Sequence, residues 1–170
     1  MRGQVMTRDL NGHEVPTGRV RRLLGRLGGG GAADAELTAT DPDLIVVAQS
    51  FDDSAASSAV LEDSQWRSAE QAVVRHILAV PEGRVGEAVA TAAQDGYEQV
   101  DVSGVAEVAQ GPGVSGTSAA GVGEHTLLGL ARPQLVDALH CSQERSRMAG
   151  LGARHDGTVL GWQVLQRPPH

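Results

Sequence analysis

The chain has 170 residues, of which 41% are hydrophobic and only 2% aromatic, and its net charge is −7. All 14 cationic side chains are arginine, and Cys141 is the single cysteine, which excludes an internal disulfide framework and a cysteine-based zinc site. This length suits one domain with a tail, and the longest purely apolar run, Leu44 to Ala48, falls far short of the roughly 20 residues of a membrane helix.

Charge is distributed unevenly. Residues 1–30 carry six Arg against Asp9 and Glu14, a net of +4, whereas residues 31–170 carry a net of −11. Gripping duplex DNA depends on clustered cations that neutralise phosphates. The body of the chain lacks them, and its acidity suits a basic protein partner better. Residues 1–37 read as a flexible Arg/Gly-rich arm ending in Gly28 to Gly31; any nucleic-acid contact is expected only through it. No apolar stretch follows the early arginines, so a secretory signal is not expected and a cytoplasmic location is.

Residues 38–70 read as a lead-in. Asp43 to Ala48 is a short β-branched run that suits a strand, an edge addition or the buried start of a helix, since periodicity does not decide for so short a run; as a strand it would extend the sheet or pair with a second copy, and residues 52–70 suit a helix or a helix and turn. Residues 72–80 then form a strand stopped by Pro81. Residues 82–95 suit a helix with Val85, Ala88, Val89 and Ala92 in one stripe, capped by Gly96. Tyr97 to Val102 alternates as a half-buried strand does. His125 to Ala131 is strand-like, and Pro133 is placed to open a helix reaching about Ala153, with Leu135, Ala138, Leu139, Ser142, Ser146, Ala149 and Ala153 near its packed face. His155-Asp156-Gly157 makes a turn into a last strand over Thr158 to Leu165.

Strand, helix, strand, repeated once over residues 71–167, spells an α+β ferredoxin-like plait (βαββαβ): an antiparallel sheet with two helices on one face and a disordered basic N-terminal arm.

Few motifs carry chemistry. Gly111-Pro112-Gly113-Val114-Ser115-Gly116 matches a dinucleotide fingerprint in letters, but no helix start follows to meet a pyrophosphate, and a phosphate-binding loop lysine is impossible in a chain without lysine. His140 and Cys141 adjoin in a helix and point about 100° apart, which does not make a nucleophile and base. Asp52-Asp53 and Glu62-Asp63 read as solvated surface. The histidines lack metal-ligand spacing, and no metal or cofactor is expected. Tyr97 and Trp162 do not make the aromatic platform of RNA-binding plaits.

Three functional readings follow. The first is a non-enzymatic acidic regulatory protein that engages a partner with a basic surface through Glu82, Glu87, Asp95 and Glu98. The second is a small-molecule-binding or enzymatic plait, with His76, His125 and Trp162 lining a cleft under the 103–124 loop. The third is a homo-oligomer, a homodimer in its simplest form, joined through the Leu44 to Ala48 run.

The texture from residue 70 to 165 resembles the family called regulator of ribonuclease activity B. The shared elements are Gly96-Tyr97 after the first helix, a polar strand start at His125, a long second helix, and Asp156-Gly157 with Gly161-Trp162 near the end. The family usually joins Asp-Gly-Trp; here Thr158, Val159 and Leu160 intervene. The resemblance implies a ferredoxin-like inhibitor of ribonuclease E that binds a basic region of the enzyme and has no catalysis of its own.

Overall fold

The computed structural model describes residues 36–105 and 125–169; the basic arm, apart from Glu36 and Leu37, and the Gly111 to Gly116 loop lie outside them. Among the described residues five strands are formed: β1 (Ile45–Ser50), β2 (Ala72–Pro81), β3 (Glu98–Val100), β4 (His125–Gln134) and β5 (Thr158–Gln166). The α-helices among the described residues are α1 (Ser57–Glu62), α2 (Val85–Ala93) and α3 (Ala138–Arg154). The strands lie in the order β1-β5-β2-β4-β3, and every neighbouring pair is antiparallel. The fold class is α+β.

β2 lies at the centre because its run of Val, Ile and Leu is buried on both faces. Its residues Ala72, Val74, Leu78 and Val80 pack under the helices. Val73 and Ile77 point the other way, where Leu37 and Ala39 cover one end of the sheet and Val102 and Val105 the other. Leu37 is thus packed on the sheet, 5% exposed, rather than free in solvent.

The α2 stripe packs as its spacing predicts: Ala88 and Ala92 are buried, with Val85 and Val89 against the same cluster. The helix stops at Gly96, whose φ of 80° is one that side chains resist, while Tyr97 N donates back to the Ala92 carbonyl at 3.2 Å.

Several expected boundaries move. Glu82–Arg84 is a single 3-10 turn, and the α-helix begins at Val85. The strand expected over residues 97–102 contracts to β3, because Asp101 accepts from the main chain and hydroxyl of Ser103, both at 2.9 Å, and bends the chain into a 3-10 turn at Ser103–Val105. Only α1 is helical within residues 52–70. Pro133 does not open a helix; it pairs with Val73 in β4, beyond the point where β3 ends opposite Ala131. There β4 is an edge, which proline tolerates.

α3 starts instead at Ala138, with the Asp137 carboxylate accepting from His140 N at 2.8 Å. This start sets the helix rotation. Leu135 and Leu139, expected on the packed face, are 62% and 65% exposed, and the buried face is Cys141, Glu144, Met148, Leu151 and Gly152.

β1 joins the sheet beside β5. Its register skips at Val47, a β-bulge, and the Val47 carbonyl accepts from Gln65 N at 3.3 Å.

Candidate functional site

Two apolar clusters fill the helix side of the sheet. One gathers Leu61, Val74, Val136, Cys141 and Val164; the other gathers Leu78, Val80, Leu128, Met148 and Leu151. A polar layer runs between them. His76 projects from β2 into this layer, fully buried, opposite Trp162 on β5 and edge-on to Tyr97, with ring centroids 6.0 Å apart. The Arg132 guanidinium lies 4.8 Å from the Tyr97 ring centre and donates to Glu144 Oε1 at 3.1 Å and to the Asp95 carbonyl at 2.7 Å. Arg145 lies 5.9 Å from the Trp162 ring and donates to the carbonyls of Ala55 and Asp53 at 2.8 and 2.9 Å. Two arginines therefore tie α3 to the loops at its sides.

Electrostatics follow from burial. Desolvation, aided by the charges of Arg132 and Arg145, lowers the His76 pKa to about 3, so the ring is neutral at neutral pH. Burial pushes the Glu144 carboxyl up. Both His76 ring nitrogens, the Tyr97 hydroxyl, Trp162 Nε1 and Glu144 Oε2 meet no hydrogen-bond partner among the described residues. Such atoms each carry a desolvation cost. The layer thus holds a neutral imidazole and an ion-paired carboxyl side chain, both buried.

The sequence-derived candidates fall in different places. His76 and Trp162 are brought together beneath α3, but His125 pairs with Pro81, five residues further along β2 and on the opposite face. The three do not line one cleft. At the described base of the 103–124 loop there is an open hollow of about 490 Å³, lined by Asp101, Ser103, Thr126 and Leu127 among others.

Glu82 and Glu87 stand at the N-terminal end of α2, Asp95 and Glu98 beyond its C-terminal end, about 13 Å of helix apart. Glu87 approaches Arg84 at 3.5 Å, and Asp95 pairs with Arg147 at 3.1 Å. Glu82 and Glu98 have no ion-pair partner among the described residues. The acidic pairs read as plain surface, Asp52-Asp53 and Glu62-Asp63, flank the two ends of the six-residue helix α1, and all four are exposed. Sequence spacing gave no sign that one short helix would gather them.

Cys141 is buried, and desolvation, with the Asp137 charge, pushes its thiol up to about 12. Its neighbour His140 is bonded instead to Asp137, Nδ1 to Oδ2 at 2.6 Å. Among the described residues, no three His, Cys, Asp or Glu side chains are grouped to hold a metal ion, and no helix is long and apolar enough to cross a membrane.

No protein-family model matches this chain, and no curated protein or solved structure matches it significantly.

Proposed function

We propose that β2 to β5 with α2 and α3 form a ferredoxin-like plait, to which β1 adds an edge strand, and that the domain is a non-enzymatic regulatory protein that binds a basic surface on a protein partner. The order β5-β2-β4-β3 within the sheet supports the plait reading.

The observation that carries the function is the direction of the charges. Residues 36–105 and 125–169 contain 16 Asp and Glu against 8 Arg. Arg67, Arg84, Arg132 and Arg145 donate to the molecule's own main-chain carbonyls. Asp52, Asp53, Glu62, Asp63, Glu82 and Glu98 stay exposed. A surface of this kind steers and orients a basic partner. The resemblance to the regulators of ribonuclease activity suggests an RNA-processing ribonuclease as that partner.

Titration calorimetry of the full chain against the basic region of a ribonuclease E is the direct test. Binding is expected at low salt, weakened about tenfold at moderate salt and again by Glu82→Arg with Glu98→Arg, or by reversing the four carboxylates around α1. Absence of binding, or binding indifferent to both salt and charge reversal, overturns the reading.

A further inference from the structure

On the sheet face away from the helices, a row of polar side chains crosses between the two covered ends. Arg75 Nε donates to Gln163 Oε1 at 2.8 Å, and Gln163 Nε2 donates to Gln49 Oε1 at 2.9 Å. The row runs over β2, β5 and β1, and Gln163 is only 3% exposed. Its amide is fixed at both ends, so it fixes the plane of the guanidinium in turn.

Arg75 differs from the other partly buried arginines among the described residues. Arg67, Arg84, Arg132, Arg145, Arg147 and Arg167 each have a carboxylate within 4.0 Å. Arg75 is the partly buried arginine among the described residues that lacks one. Its Nη1–Nη2 edge has no hydrogen-bond partner among the described residues, and Asp101 acts on it only through space.

We infer that Arg75 anchors an anion site on this face, which takes a small ligand bearing one carboxylate or phosphate through a bidentate contact to the Nη1–Nη2 edge. A planar fork of two N–H donors matches either oxyanion. The Gln49–Gln163 relay holds the fork in place before the ligand arrives, which lowers the ordering cost of binding. Burial disfavours the bare cation, and an incoming anion offsets that. Asp101 nearby and Glu98, two strands away in the same row, select against ligands of high negative charge. The anion site rests on the Arg75 cation and the partner surface on carboxylates; Glu98 borders both, so Arg75→Gln tests the first and reversal of the four carboxylates around α1 the second.

NMR of the full chain, titrated with inorganic phosphate and separately with acetate at ionic strength matched with chloride, tests the site. The Arg75 Nε–H and Gln163 side-chain amide resonances should shift saturably with at least one of the two. The anion that saturates at lower concentration identifies the ligand's head group. Arg75→Gln should abolish the saturable shift, and Arg75→Lys, which keeps the charge without the fork, should weaken it by about tenfold or more. Shifts that rise linearly and match those in chloride overturn the site, as does saturable binding unchanged in Arg75→Gln. Should Arg75→Gln not fold, undiminished binding by Arg75→Lys overturns the bidentate fork.

Discussion

His76 on β2 and Trp162 on β5 face each other across an antiparallel pair beneath α3, and neither the imidazole nitrogens nor the indole Nε1 finds a hydrogen-bond partner among the described residues. A proton on His76 would stand in a desolvated layer beside Arg132 and Arg145. The unfolded chain accepts that proton near pH 6.5, the folded chain only near 3.

Acid therefore destabilises the fold through His76. Its pKa is lower in the folded state, so the stability tied to neutral His76 is fully present above pH 6.5 and is lost as pH falls from there toward 3. At pH 5 the loss is about 2 kcal/mol. Urea unfolding at pH 7.5 and pH 5 of the wild type and His76→Phe checks this; the variant should lose distinctly less stability between the two pH values.

Glu144 depends on Arg132. The carboxylate is 2% exposed, and Arg132 is its bonded cation at 3.1 Å. Arg132→Met leaves Glu144 buried without it and should cost about 3 kcal/mol. Adding Glu144→Leu should recover most of that loss. Chemical denaturation of the two single variants and the double variant measures the coupling, and additive losses would contradict it.

The Asp137 cap sets the rotation of α3. Asp137→Ala should cost about 1 kcal/mol at neutral pH, and Asp137→Asn much less. Accepting from the main-chain N–H of His140 holds the Asp137 carboxyl below the usual range. The cap's contribution is therefore full above about pH 4 and declines as pH falls through the lowered pKa. Thermal melts at neutral and acid pH should show the cost of Asp137→Ala shrinking in acid.

Gly129 admits no side chain. A Cβ there would meet Val102 Cγ1 at 2.4 Å and the Val100 carbonyl at 2.7 Å. Gly129→Ala should destabilise by about 1–3 kcal/mol, read as a lowered denaturation midpoint, by forcing apart β4 and the segment that closes the second sheet face.

Cys141 should be inert toward Ellman's reagent in the folded protein and react at once in denaturant, since burial holds the thiol protonated. Rapid modification without denaturant would show that the α3–sheet contact opens readily.

Legibility in the sequence followed periodicity. The β2 run and the α2 stripe of Val85, Ala88, Val89 and Ala92 are short-range patterns, and they fold as read. The face of α3 escapes a pattern of apolar spacing because its buried stripe contains Glu144, a charged residue that meets Arg132 from β4 in its buried position. Pro133 was misread as a helix start because nothing in the sequence reveals that β3 ends at Glu98 opposite Ala131 and leaves β4 an edge beyond it. The Arg75–Gln163–Gln49 row depends on residues far apart in the chain meeting across three strands. No local pattern encodes such a meeting.

Flush strand edges invite fibre growth, and among the described residues the sheet ends at β1 and β3. β3 offers three residues, one of them the charged Glu98. β1 is longer and exposes Ile45 and Val46, yet the extra residue at Val47 breaks its ladder, and Gln65 occupies the carbonyl there. A strand from another copy would find an interrupted template on one side and a short, acidic one on the other.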